Sequence, residues 1–443
     1  MEITLLKGYQ TEAWNYLSDF KRNAAYMEMG LGKTFIGSET IKQWFFEDWG
    51  IDIVIVLCQK SKVDDWIDHL KKYTDYYIAN GREYDFSEFA CPIPDVMVIN
   101  YDLAITPKRI AWFTKLIKYC KKNGYKYGVI CDESSVLQHR TTARSKLLLG
   151  TNRDLSNGLG TSADYLQLLS GTPCNGKYEN LWVQARLLGF KCTYRQWLDL
   201  FCEYHLDERD RFYVIDGYKD TESMIALLNS LGAYFLKAED ALDLPPSVDT
   251  ILRSNPPKEY AKLRKTGVAT DEWGNNIVAD SPLKQFMEER KMLAMNQNKY
   301  NTIRDRIESN ENRMVIGTNF VKEYMDIMQI AYDLGRPVSY VNGTLGKNLV
   351  AYDKDSDSIT VVQYQAGSMG LNLQKANYML MASPPVSASD YMQFRGRIYR
   401  EGQTKTCFYD ECVGGIVEDK IFKAIREGRD YTFDLYKIDK DKE

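Results

Sequence analysis

The longest apolar run in this chain is IDIVIVLC, at 51–58. Its length falls well short of the roughly 18 residues needed to span a bilayer. It is instead the length of a strand buried on both faces. Similar short runs recur near 23–29, 95–100, 128–131 and 166–170, and helical patterns lie near 9–19, 33–47, 62–73 and 178–189. This alternation predicts a mainly parallel sheet with crossover helices.

From about 190 to 311 the pattern changes, with aromatic and charged residues mixed, and helices are expected to dominate. LDLPPS at 242–247 reads as a linker, because consecutive prolines block both helix and central strand. The segment 284–308 predicts one long polar helix. After 311 the alternation returns. RMVIGTN, RPVSYVNG, SITVVQYQ, NYMLMAS and KTCFYDEC read as strands, with helices near 320–334, 387–400 and 416–427. The expected division is a first lobe over 1–241 with a helical protrusion about 190–241, a linker and helical insertion over 242–311, and a second lobe over 312–443 ending in a charged tail.

Composition narrows the function classes. With 27% charged and 44% hydrophobic residues, 443 residues suffice for two or three globular cores. The net charge is −4, so any nucleic-acid contact must come from local basic patches. Nine cysteines form no CxxC pair, and three histidines stand at no metal-ligand spacing. Buried free thiols are expected rather than bridges, and no transition-metal site. No basic-then-apolar segment follows Met1, which predicts a cytoplasmic protein.

MEMGLGKT at 27–34 follows a strand candidate and opens a helical pattern. In that context Gly30 and Gly32 make the turn, and backbone amides converge on phosphates at a helix N-terminus. Lys33 supplies charge to the β- and γ-phosphates, and Thr34 offers a hydroxyl to Mg²⁺. Met27 stands where the full phosphate-loop pattern has its first glycine. A glycine-rich turn with a solvated lysine is the competing reading. CDES at 131–134 ends another strand. Asp132 is placed to hold Mg²⁺ through water, and Glu133 to orient or deprotonate the attacking water. Gln10, ahead of the loop, carries an amide able to pair with adenine N6 and N7; a polar surface residue is the alternative.

Near the other end, QFRGRIYREGQ stands at 393–403. At about 100° per residue, Gln393, Arg397 and Arg400 share one face of a helix and Arg395 points away. Two arginines on one face suit negative charge developing on a transferring phosphoryl group. A site drawn from both ends of a chain exists only when two halves meet. YQAGSMGLNL at 364–373 reads as a glycine-hinged turn whose amides grip nucleic-acid phosphate or relay nucleotide state.

In this order the motifs resemble those of the superfamily 2 helicases and translocases, and within them the Swi/Snf-type DNA motors. LKGYQTEAW is similar to their adenine-reading segment, MGLGKT to their phosphate loop, and LLSGTPCNGKYENLW to the coupling segment. FLKAEDALDLPP is similar to the stretch before their linker, and GSMGLNLQKANYMLMASPP with QFRGRIYREGQ to their last two motifs. The resemblance runs over most of 1–430 and is weakest at 190–310. It implies two RecA-like α/β lobes, with helical insertions between their motifs, that use ATP and Mg²⁺ and act on DNA. By motif match, Gln10, Gly30, Gly32, Lys33, Thr34, Gly370 and Gln393 would bind ATP. Lys33, Glu133, Arg397 and Arg400 would be catalytic, and Thr34 and Asp132 would serve Mg²⁺. Ser170 and Thr172 would couple nucleotide to DNA. Segment position alone adds Lys60, Ser61, Asn100, Tyr101, Thr318, Gly343 and Thr344 as DNA contacts. Ser135 replaces the histidine of the DE-x-H box, which leaves the coupling of ATP to DNA in doubt. The short insertions look most like phage-encoded helicases such as those of T5-like phages, which would place the protein in a host cytoplasm.

The reading is a DNA-stimulated ATPase, acting as a monomer on duplex, forked or branched DNA in replication, recombination or repair, with strand separation or branch migration as outcomes. An ATPase acting on RNA, a non-motor phosphate-loop ATPase, and a scaffold with a dead nucleotide site are the alternatives.

Overall fold

A computed structural model describes residues 6–46, 50–87, 93–174, 176–206, 213–270, 274–365 and 371–441. The chain divides into two compact units, Met1–Ala241 and Leu242–Glu443.

The first unit is built on strands β1 (Arg22–Met27), β2 (Ile53–Cys58), β3 (Ile78–Asn80), β4 (Val96–Asn100), β5 (Tyr127–Asp132) and β6 (Tyr165–Ser170). A hairpin, β7 (Cys202–Leu206) and β8 (Tyr213–Tyr218), precedes the last sheet strand, β9 (Ala233–Leu236). The sheet order is β3-β4-β2-β5-β6-β1-β9, and every pairing in it is parallel. Every residue of β2, β4, β5 and β6 is buried. Burial of consecutive residues means that both faces of the sheet are covered, as parallel sheets require. The five strand segments expected here all form.

The region expected to be a helical protrusion is mixed. It holds helices Tyr194–Phe201 and Thr221–Ser230, but also the antiparallel hairpin β7–β8 and the sheet strand β9. The hairpin is only partly buried, so it lacks the apolar run that marks a core strand.

The second unit carries β10 (Ser247–Arg253), a small hairpin β11 (Val268–Thr270) and β12 (Asn276–Val278), then β13 (Met314–Thr318), β14 (Val338–Asn342), β15 (Gly346–Asn348), β16 (Ile359–Gln363), β17 (Tyr378–Met381) and β18 (Cys407–Val413). Its sheet runs β10-β18-β17-β13-β16-β14-β15, parallel except for β14–β15. Each unit is thus an α/β layer structure on a mainly parallel sheet.

Three expectations need correction. The stretch after LDLPPS is not all linker and helix: β10 pairs with β18 along its whole length, from Ser247 opposite Cys407 to Arg253 opposite Val413. It is an edge strand with mostly exposed side chains, so it needs no apolar signature. The long helix expected over 284–308 is two helices, Pro282–Ala294 and Gln297–Glu308. The first puts Phe286, Met292 and Leu293 into a core with Val315, Val362, Met379 and Met381. The second puts Tyr300, Ile303 and Ile307 into a core with Met314, Ile316, Val361 and Leu380. Those strand residues alternate, so the two helices cover opposite faces of one sheet. A straight helix could not do that. Buried Asn296 caps the second helix, accepting from the Asn298 amide and donating to the Asn255 carbonyl. Finally, the helix expected over 387–400 stops at Arg395, with Gly396 as its C-cap.

The eight described cysteines are free, and all but Cys192 are buried. Among the described residues no helix is long and apolar enough to cross a membrane.

Candidate functional site

In open α/β sheets, ligands bind outside the carboxyl ends of the strands. In the first unit that edge gathers the predicted residues. β1 runs into the glycine turn, where Gly30 and Gly32 have φ of 83° and 76°. At Gly32 a Cβ would lie 2.3 Å from the Gln10 side-chain nitrogen. Gln10 is buried, accepts from the Lys7 amide at 3.0 Å, and donates to the Leu31 carbonyl at 3.0 Å. The glutamine therefore braces the turn from behind, a role the sequence reading did not include. Lys33 opens the helix Lys33–Phe46, followed by Thr34 in its first turn. The Lys33 ammonium donates to the carbonyls of Met27, at 2.8 Å, and Glu28, at 3.3 Å.

Asp132 closes β5. Its carboxylate accepts the Trp66 indole N–H at 2.8 Å and the Glu133 amide at 3.0 Å. Burial pushes its pKa above the usual carboxylate range, while the Trp66 hydrogen bond and the Lys33 charge pull it down. Lys33 at the start of the helix after β1 and Asp132 at the end of β5 both stand at this carboxyl edge. Glu133 follows in the left-handed backbone region, with φ 50°, a conformation that costs an ordinary side chain about 1–2 kcal/mol and clusters at functional sites.

Beneath these groups lies a residue the sequence reading missed. Gln184 is fully buried on the helix Leu181–Leu188. Its Oε1 accepts from the Tyr26 hydroxyl at 2.8 Å and the Ser134 hydroxyl at 3.0 Å. Its Nε2 donates to the Pro173 carbonyl at 2.6 Å. One amide thus joins the strand entering the phosphate loop, the turn after the acids, and the turn after β6. That last turn holds Ser170, which is buried and accepts from the Thr172 amide at 3.2 Å. A Cβ at Gly171 would stand 3.4 Å from the Lys33 nitrogen, so the same turn borders the phosphate loop.

In the second unit, Arg397 and Arg400 lie beyond the helix Ala388–Arg395, so a shared helical face does not relate them. They converge in another way. Both guanidinium groups donate to the Leu371 carbonyl, Arg397 at 3.5 Å and Arg400 at 3.3 Å, and Arg400 also holds the Asn372 side chain. Arg397 is buried and Arg400 partly exposed. Gln393 donates to Ser389 at 3.1 Å within its helix. Arg395 is engaged elsewhere: it pairs with Asp249 of β10 and stacks over Tyr409 at 3.6 Å. Gly370 lies outside the described residues.

The DNA candidates separate by exposure. Lys60, Ser61, Gly343 and Thr344 are exposed. Asn100, Tyr101 and Thr318 are buried. The Tyr101 hydroxyl donates to the Asp132 carbonyl at 2.9 Å, and the Thr318 hydroxyl to the Val362 carbonyl at 3.4 Å. The structure brings Tyr101 to the acid loop and gives the Tyr101 and Thr318 hydroxyls internal partners, while the Asn100 side-chain oxygen is buried without one among the described residues.

Comparison with known proteins bears on both units. Residues 298–402 match the family described as helicase conserved C-terminal domain. Over 255 residues the chain is 26% identical to the mouse DNA annealing helicase and endonuclease ZRANB3, covering 56% of this chain and 22% of that protein. It is 22% identical over 474 residues to the ISWI chromatin-remodeling complex ATPase CHR11 of Arabidopsis thaliana, covering 94% of this chain and 42% of that one. A segment of 68 residues is 37% identical to the human DNA repair and recombination protein RAD54-like, covering 15% of this chain and 9% of that one. The chain therefore spans about a fifth of the length of the first of these relatives. The SWI2/SNF2 ATPase core of Sulfolobus solfataricus, solved in complex with dsDNA, covers 96% of this chain and 91% of its own at 17% identity. Its TM-score is 0.45.

Proposed function

We propose that this chain is an ATP-dependent DNA translocase or helicase of the Swi/Snf type. The observation that carries the reading is the carboxyl edge of the first sheet, where the glycine turn, Lys33, Asp132 and Glu133 meet. The helicase C-terminal match over 298–402 adds the second unit, with Arg397 and Arg400 converging on one carbonyl. The names of the relatives, an annealing helicase, a remodelling ATPase and a recombination protein, favour DNA as the polymer.

The assignments follow from chemistry. The loop amides and Lys33 bind the triphosphate. Glu133 orients the attacking water and accepts its proton. Arg397 and Arg400 are assigned to the same triphosphate, where they stabilise charge on the transferring phosphoryl group. Gln10 and Gln393 are left to the nucleotide base and sugar, and Ser170 and Thr172 to coupling. The donor set fits Mg²⁺. Thr34 offers one hydroxyl in the first turn of the helix Lys33–Phe46 and Asp132 one carboxylate at the end of β5, and Mg²⁺ is characteristically bound by one or two carboxylates with water and substrate phosphates. Thr34 and Asp132 would hold it, and it would neutralise phosphate charge.

The test is ATP turnover with single-stranded, duplex, forked and four-way DNA and with RNA, with strand displacement measured alongside. DNA should stimulate turnover, and Lys33→Ala and Glu133→Gln should abolish it while DNA binding persists. Turnover retained in both variants would sink the site. Turnover indifferent to every polymer would leave a non-motor ATPase, and stimulation by RNA alone would change the substrate.

A further inference from the structure

A cavity of about 720 Å³ opens at the other end of the first sheet from the phosphate loop. Arg22, Arg140, Arg153, Arg186 and Lys191 line it, against a single acid, Asp154. That local excess of positive charge contrasts with a chain whose net charge is −4. Arg22 begins β1, and β1 ends at Met27, whose carbonyl receives Lys33. At ~3.3 Å per residue the two sites stand about 17 Å apart along the strand.

The cations divide by task. Arg22 donates to the carbonyls of Gly160, Thr161, Ala163 and Leu187 and forms the floor. Part of its charge is spent on the carboxyl end of the helix Leu181–Leu188. Arg186 donates to the carbonyls of Phe190 and Asp154, and its buried Nε–H has no partner among the described residues. An orphaned buried donor of that kind is rare. Arg153 and Lys191 are exposed and enter no ion pair or hydrogen bond among the described residues; Arg140, also exposed, only stacks on the Tyr194 ring, at 4.9 Å. Tyr194 in turn stands edge-on to buried Trp182. The wall therefore offers three cations without an ion pair, Arg153 and Lys191 in the open and Arg140 on an aromatic ring, the kind of basic rim that tracks a nucleic-acid backbone.

We propose that this cavity binds the phosphodiester backbone of a nucleic-acid strand, as a second contact remote from the ATP site. The inference rests on the reading that the chain acts on nucleic acid. Backbone phosphates spaced along a strand match cations distributed around an open rim, and each contact made releases counterions.

The test compares the wild-type protein with Arg153→Gln and with the triple variant Arg140→Gln/Arg153→Gln/Lys191→Gln. Binding to a short duplex is measured across ~50–200 mM salt, with DNA-free ATP turnover as the control. The expected result is a salt dependence shallower by about 0.9 in the single variant and about 2.7 in the triple on a log–log plot, with DNA-free turnover unchanged. An unchanged slope and affinity in the triple variant overturns the proposal. A second arm titrates inorganic tripolyphosphate into Lys33→Ala protein, with and without the three rim substitutions. Binding that only the rim substitutions abolish identifies a small-phosphoanion site and overturns the strand assignment. Wild-type protein that binds no DNA at all refutes the functional reading itself, whereas wild-type binding that the rim substitutions leave intact refutes this inference alone.

Discussion

The indole N–H of Trp66 meets the Asp132 carboxylate at 2.8 Å, joining the helix Val63–Tyr73 to the acid that ends β5. Burial pushes that carboxyl up, and the indole is the first of the forces pulling it back. Trp66→Phe keeps the ring and removes the donor. The Asp132 pKa should rise further, so that protonation competes with the metal role at higher pH. The acid limb of the ATPase pH profile should move to higher pH, with the alkaline limb unchanged. A profile merely scaled down, with its limb in place, would show that the contact is only structural.

Gln184→Leu should separate turnover from nucleotide affinity. The substitution leaves the Tyr26 and Ser134 hydroxyls and the Pro173 carbonyl without their partner. Each unsatisfied buried group costs about 1–3 kcal/mol, so the melting temperature should fall. If these segments form the proposed site, loss of alignment among the strand and the two turns should lower kcat by ~10², with nucleotide affinity little changed. Equilibrium nucleotide binding beside steady-state turnover checks the split.

Arg397 and Arg400 should behave alike in catalysis and differently in stability. Arginines of this role are worth about 10³–10⁵ in rate, so Arg397→Ala and Arg400→Ala should each lower kcat at least ~10³-fold. Arg397 is buried and Arg400 is not. Only the Arg397 variant should melt at lower temperature. Arg400→Lys should rescue little, because lysine lacks the planar fork.

Glu133→Gly should make a more stable and inactive protein. At φ 50° a glycine adopts the backbone without the side-chain penalty, a gain of about 1 kcal/mol. Melting temperature and turnover should move in opposite directions.

Glu323 gives a pH signature in the second unit. Burial pushes its pKa up to about 7, while three donors, the Asn319 and Phe320 amides and the Ser383 hydroxyl, share its Oε2. The folded pKa is raised, so the folded state binds the proton more tightly than the unfolded chain. The stability this contributes is present below the unfolded value and lost as pH rises through about 7. Glu323→Gln removes that loss. Its melting temperature relative to wild type should be several degrees higher at pH 8 than at pH 5.

The parts of this architecture legible in sequence were those with dense local signals. Strands β2 and β5 announce themselves by apolar runs, and the phosphate loop by glycines whose φ only they tolerate easily. The edge strand β10 was illegible because an edge exposes its side chains. The break at Asn296 was illegible because both helices are polar enough to read as one, and only the two cores on opposite sheet faces separate them. Gln184 was missed for a related reason. A glutamine in a helix reads as a surface residue until its partners from a strand and two distant turns are known. Arg397 and Arg400 were found as a pair, but through a helical face that ends before either; a glycine at 396 was the available warning.

The parallel pairing of β1 has a temporal side. The strand that runs into the glycine turn is paired with β6 and β9, both from far along the same unit. During synthesis β1 emerges long before either neighbour exists. At ribosomal speeds of about 5–20 residues per second, it waits on the order of ten seconds or more for β9. Until then its edges are open and its glycine turn has no frame. The glycine turn is thus made well before the strands that frame it.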